Sequence, residues 1–144
     1  MHYEVDATRP YKEKTAARTV VVQCVYGYFI GNNSLEAIWR DRLLEDTAID
    51  EKTGTSLINC IANEQDILQQ KIVPHFSAGW TWEKVQPLMQ ALLLVAVAEK
   101  FCFPNIKRTI LIDEYLDIAH GFFAAKECAF VNKMLDTVYK TMAQ

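Results

Sequence analysis

The sequence predicts an all-α protein. Three observations carry that expectation. Gly and Pro are scarce, at five and four of 144 residues. About half of the chain, 51%, is hydrophobic, enough to build a packed core. The apolar residues recur at three- and four-residue spacing, the period of a helix face, rather than in strand-like alternation. The length fits one domain, or two small helical subdomains sharing a core.

Taken in order, the elements number about seven. Residues 1–11 read as a loose N-terminal extension, and the helical domain occupies 12–144. A first helix runs from Lys12 to Ile30, with Ala17, Val20, Val21, Cys24, Val25 and Tyr28 on one face. "GNNS" (Gly31–Ser34) stops it, and Ser34 suits the cap of a second helix that turns Leu35, Ile38, Trp39 and Leu43 inward. "EDTAIDEKTGTS" (Glu45–Ser56) is polar throughout. It reads as a loop, a candidate subdomain boundary, with Ser56 capping a third helix whose stripe is Leu57, Ile58, Ile61, Leu68 and Ile72. Pro74 ends that helix, and a second candidate boundary lies near 74–80. A fourth helix starts near "TWEKVQP", with Thr81 as cap and Glu83 in the first turn. Pro87 either kinks it or opens a fresh first turn.

The run "ALLLVAVA" makes Leu88–Phe101 a central, fully buried helix, broken at Pro104. A sixth helix, "TILIDEYLDIAHGFF", buries Leu111, Tyr115, Ile118 and Phe122. The short stretch "AAKEC" leads into a last helix striped by Phe130, Val131, Met134, Leu135 and Val138. No internal repeat or low-complexity tract interrupts the pattern.

Several function classes fall away. The formal net charge is −3, which argues against coating nucleic acid by bulk charge. The N-terminus lacks an apolar signal-peptide core, and the longest apolar run is far too short to span a bilayer, so the expectation is a cytoplasmic protein with no membrane partner. Cys24, Cys60, Cys102 and Cys128 are scattered, without a CxxC pair or a Cys/His cluster. They read as buried reduced thiols, with no metal and no cofactor expected. His2, His75 and His120 stand in no nucleophile–base pattern, and no phosphate loop or HExxH occurs. The acidic group Asp113, Glu114 and Asp117 reads as the solvated face of a helix rather than an acid–base pair. No catalytic residue is expected.

Recognition remains. "RPYKEKTAARTVVVQCVYGY" joins Lys12, Lys14 and Arg18, suited to phosphate contact, to Tyr26, which could stack on a base. The plainer reading of these residues is an ordinary amphipathic helix with a basic outer face.

Four stretches carry a resemblance. "ARTVVVQCVYGY" resembles the A-R-x-x-A-x-Q-x-L-Y pattern of the NusB transcription antitermination factors. "LLLVAVAEKF" is similar to that family's L-R-x-A-x-Y-E-L helix, "ILIDEYLDIAHGFF" to its V-x-I-N-E-A-x-E-L-A-K-x-F, and "FVNKMLD" to its F-V-N-G-V-L-D. Order and spacing are kept over about residues 12–138. The resemblance implies a helical bundle of two small subdomains that binds boxA-type ribosomal leader RNA. It does so together with NusE, a small-subunit ribosomal protein, within the RNA polymerase antitermination complex. It adds Lys126 and Phe130 to the RNA-binding candidates Lys12, Lys14, Arg18 and Tyr26. It also implies a partner surface including Met89, Phe122, Phe130 and Asn132.

The chain departs from the pattern at several positions. Thr15 and Ala16 stand where the family carries basic residues, and Leu94 stands for the arginine of L-R. Those departures keep an alternative function in view, a protein-interaction module with reduced RNA affinity. Asn132 has two readings: an amide that satisfies a buried backbone group at a neighbouring helix end, or a direct contact to RNA or NusE.

Overall fold

The computed structural model describes residues 9–45 and 48–142. Among them the regular elements are all helical: α1 (Arg9–Ile30), α2 (Leu35–Glu45), α3 (Glu51–Ile72), α4 (Pro87–Cys102), α5 (Arg108–Phe122) and α6 (Ala125–Met142), with single 3-10 turns at Val73–His75 and Trp82–Lys84. Six α-helices and two short turns stand close to the expected count of about seven.

Four boundaries differ from the sequence reading. α1 begins at Arg9 rather than Lys12, because Pro10 fits a first helical turn, where no N–H is needed. The remainder of the expected extension, 1–8, lies outside the described residues. α3 begins at Glu51, not after Ser56. Its cap is Asp50, whose Oδ1 accepts from the Thr53 N–H at 3.2 Å and whose Oδ2 accepts from the Thr53 hydroxyl at 3.0 Å. The polar stretch read as a loop therefore contributes the first turns of a helix. The fourth expected helix shrinks to the turn Trp82–Lys84, and Pro87 opens α4 as a fresh first turn. Ser34 caps α2 as expected, its Oγ accepting from the Ala37 N–H at 3.2 Å. "AAKEC" is not a lead-in, since α6 starts at Ala125.

The core is one cluster to which every helix contributes. α4 lies at its centre and packs against α1, α3, α5 and α6. Every residue from Ala91 to Glu99 is buried. Leu92, Leu93 and Leu94 are each at most 1% exposed, and burying one such side chain contributes roughly 1.5–3 kcal/mol. Tyr139 of α6 reaches α4 and donates its hydroxyl to the Ala96 carbonyl at 2.7 Å. α1 is buried around much of its girth. Val20, Val21 and Val22 are all interior, because α2, α3 and α4 each cover part of it. α2 locks onto α3 through Trp39. Its ring lies so close to Gly54 that a Cβ there would come within 2.2 Å of it. Its indole N–H donates to the Thr55 hydroxyl at 3.1 Å. No helix among the described residues is long and apolar enough to cross a membrane.

Candidate nucleic-acid and partner interface

The turn before α4 shapes a groove. Gly79 takes a φ of +85°, the left-handed region that an L side chain resists, and turns the chain so that Trp80 projects, 56% exposed. The Trp80 N–H donates to the Ser77 carbonyl at 3.0 Å. The Lys84 ammonium donates back to the Gly79 carbonyl at 2.8 Å, and the Gln90 amide donates to the Trp82 carbonyl at 2.7 Å. The loop is thus held to the first turns of α4. Across from it stands the start of α6. Between them lies a groove of about 460 Å³ lined by Phe76, Trp80, Lys84, Met89, Lys126 and Phe130, among others. Met89 is buried at its base, while Lys126 and Phe130 stand exposed on its α6 wall.

The groove brings together Met89, Lys126 and Phe130, drawn from two separate sets of candidates, one for RNA and one for a partner. Lys126 and Phe130 are four residues apart and share one helix flank. Asn132 does not join them. Two residues beyond Phe130 it points about 200° away around the helix, to the other flank of the buried stripe formed by Val131, Met134 and Leu135. Asn132 is exposed there, which corrects its reading as a buried amide tying off a neighbouring helix end. Phe122 is half-buried at the end of α5, edge-on to Phe123 with ring centroids 6.5 Å apart. Tyr26 is half-buried against the core. Lys12 and Lys14 are exposed on the first turns of α1.

Arg18 is elsewhere, and the expectation that it contacts phosphate is corrected. It is only 6% exposed, and its guanidinium is engaged inside the protein. Nε donates to Glu99 Oε1 and Nη2 to Glu99 Oε2, both at 2.8 Å, while Nη1 donates to Glu114 Oε2 at 3.2 Å. Burial alone would lower the Arg18 pKa, but the hydrogen bonds and charge of Glu99 outweigh it and hold the guanidinium further up. Three hydroxyls complete the cluster. Tyr115 donates to Glu99 Oε1 at 2.6 Å, Thr15 donates to Glu114 Oε2 at 3.2 Å, and Tyr11 donates to Glu114 Oε1. Burial, then the neighbouring Glu99, pushes the Tyr115 hydroxyl well up, so it stays a donor.

The cluster joins α1, α4 and α5. Glu114 belongs to the interior, not to the solvated face expected for it, whereas Asp113 and Asp117 are exposed. Sequence reasoning missed Glu99 altogether. Its signal was present: a carboxylate closing an apolar run, inside a helix otherwise built to be buried. Each of Arg18, Glu99 and Glu114 also stands in one of the motifs that carry the resemblance.

Of the basic candidates, only Lys126 lines the groove. Arg18 marks where α1 meets the C-terminal half of α4, at Glu99. The groove opens at Met89, ten residues earlier on the same helix, an axial separation of about 15 Å. Lys12 and Lys14 stand on the α1 turns that Tyr11 and Thr15 tie to Glu114, and neither lines the groove.

The sequence model of the NusB family matches residues 15–140. The transcription antitermination protein NusB of Granulibacter bethesdensis is 29% identical over 150 residues, covering 94% of this chain and 90% of that protein. Its counterpart from Gluconobacter oxydans is 29% identical, covering 88% and 86%, and that from Caulobacter vibrioides 26%, covering 87% and 91%. Among solved structures, T. maritima NusB superposes with a TM-score of 0.76 over 88% of this chain and 89% of that one. At 23% identity this is a likeness of fold.

Proposed function

Because this chain belongs to the NusB family, we propose that it is a transcription antitermination factor rather than an enzyme, acting in the cytoplasm on boxA-type leader RNA together with NusE. The observation that carries this reading is the groove between the Gly79–Lys84 turn and α6. It sets exposed aromatic rings, Trp80 and Phe130, beside the ammonium groups of Lys84 and Lys126. Aromatic faces stack on unpaired bases, and lysines meet the backbone phosphates, which is the chemistry of single-stranded RNA binding. Lys12 and Lys14 supply a second, separate phosphate contact region, and the buried Met89 gives a partner an apolar floor.

A second reading is favoured by one observation. Arg18, the residue of the basic helix that the resemblance most directly implies, is consumed by Glu99 and Glu114. The basic helix then offers solvent fewer cations than its sequence suggests. On that ground the chain would act as a protein-interaction module with reduced RNA affinity. A fluorescence anisotropy titration with a boxA-like RNA, run with and without NusE, separates the two. Tighter RNA binding in the mixture than with either protein alone supports the antitermination reading. Binding of NusE with no RNA binding by the pair supports the module.

A further inference from the structure

Cys60 of α3 and Cys102 of α4 are far apart in sequence but adjacent in the fold. The Cys60 thiol lies 3.9 Å from the Ala98 carbonyl oxygen. Ala98 stands one turn before Cys102, so that same oxygen receives the Cys102 N–H in the helical ladder. The Cys60 thiol thus donates to the last turn of α4, beside Cys102, close enough that each side chain perturbs the other's titration. Cys60 is 9% exposed, and Cys102, on the last turn of α4, is half-buried. Cys24 and Cys128, the other two cysteines, are buried on α1 and α6.

We propose that Cys60 and Cys102 form a disulfide under peroxide, a redox-modification site that staples the middle of α3 to the C-terminal end of α4. The order of events follows from access. Cys102 is the sulfur that solvent reaches, whereas Cys60 is almost enclosed. The Cys102 thiolate attacks one oxygen of hydrogen peroxide, the O–O bond breaks, Cys102 becomes a sulfenic acid, and the hydroxide that leaves takes up the proton Cys102 gave up and departs as water. The Cys60 sulfur then attacks the Cys102 sulfur. The S–S bond forms, and the hydroxyl leaves with the Cys60 proton as a second water. Each sulfur loses one electron and the peroxide gains two. Burial pushes both thiols up from the ordinary cysteine range, Cys102 among them, so the reaction is slow at neutral pH and quickens as pH rises.

The staple has a structural consequence. α3 bends just after Cys60, at Glu64, whose φ and ψ of −124° and 21° leave the helical range. Beyond the bend, Lys71 lies over the Phe101 ring at 5.7 Å from its centroid, next to Cys102. A covalent link between residues 60 and 102 fixes the position of the α3 bend against the end of α4.

The test is intact mass spectrometry and peptide mapping of the whole folded chain after hydrogen peroxide treatment and quenching of remaining thiols. The expected result is a loss of two hydrogens per chain, a linked peptide containing Cys60 and Cys102, and a fall in titratable thiols, counted after unfolding, from the four free cysteines to two. In Cys60→Ser the Cys102 sulfenic acid has no resolving thiol and is expected to be trapped by dimedone. In Cys102→Ser the linked peptide is expected to vanish. Four thiols surviving peroxide in the wild type, or a linked peptide using Cys24 or Cys128, would overturn the proposal. So would a bond joining two chains, or a wild-type Cys102 that only accumulates higher oxides. These wild-type outcomes do not depend on the folding of either variant.

Discussion

Arg18 grips Glu99 with two parallel hydrogen bonds, Nε to Oε1 and Nη2 to Oε2, both 2.8 Å long, in the interior between α1 and α4. A fork-to-fork pair of this kind fixes direction as well as distance. It sets the rotation of α1 against the central helix. The third guanidinium nitrogen extends the grip to Glu114 and so to α5.

Removing one partner of a buried ion pair leaves the other charge uncompensated, which typically costs about 3–5 kcal/mol. Arg18→Ala is therefore expected to lose that much in urea unfolding, more than a surface basic residue could. A combined variant, R18M/E99L/E114L with Tyr115→Phe to avoid an orphaned hydroxyl, is expected to retain more stability than Arg18→Ala alone. A loss under about 1 kcal/mol for Arg18→Ala would return Arg18 to the surface.

Gly54 gives a second stability test. An added Cβ would meet the Trp39 ring at 2.2 Å, and a ring wedged between two helices cannot yield by a rotamer change alone. Gly54→Ala is expected to cost about 1–3 kcal/mol, although alanine favours helix. Trp39→Phe, which removes the crowding atoms, is expected to recover part of that loss in the double variant. Additive losses in the two substitutions would show that the ring is not the obstacle.

Neighbours on one helix show how much was legible in the sequence. Lys14 and Arg18 are four apart and share a face, so periodicity assigned them one fate. Lys14 is exposed and Arg18 is buried, because α4 and α5 bring Glu99 and Glu114 against Arg18 and leave Lys14 uncovered. Which part of a face is covered is a tertiary fact, and no single-helix pattern encodes it. The apolar run of α4 needed no such knowledge, since it is buried on every side, and its place at the centre was readable from composition. The groove was half readable. Met89, Lys126 and Phe130 were named from the resemblance, but Trp80 was not, because an aromatic residue in a Gly-containing turn carries no period.

Asp50 links capping to pH. Burial would raise its pKa, but the Thr53 N–H and hydroxyl bond its carboxylate and the balance holds it below the usual aspartate value. A depressed folded pKa stabilises the protein fully above the unfolded value, about 3.9. That contribution is lost as pH falls through the lower folded value. Asp50→Ala is thus expected to cost about 1 kcal/mol near neutral pH. The gap to wild type should close on acidification, read by chemical denaturation at a series of pH values. A gap that stays constant into strong acid would mean the carboxylate charge is not what caps α3.

The groove and the Arg18 cluster make opposite predictions for RNA binding, and salt dependence tells them apart. Removing one phosphate contact from a single-stranded RNA complex flattens the log–log salt slope by about 0.7. Lys126→Ala is expected to weaken boxA-like RNA binding and flatten the slope by that amount, and Lys14→Ala to do the same independently. Phe130→Ala is expected to cost about 1–3 kcal/mol of affinity, the worth of one stacked base, with the slope unchanged. An Arg18 variant that still folds is expected to leave the slope untouched, since its guanidinium faces carboxylates rather than solvent. The partner enters by linkage. If NusE tightens RNA binding by a factor, RNA must tighten NusE binding by the same factor, and a coupling of about 1–3 kcal/mol is ordinary. Phe130→Ala, placed where both candidate contact sets meet, is expected to reduce that coupling, whereas Lys14→Ala, away from the groove, is expected to leave it intact. A cycle measured with wild type and both variants decides the matter: coupling that survives Phe130→Ala but fails with Lys14→Ala would move the shared RNA and partner surface from the groove to the start of α1.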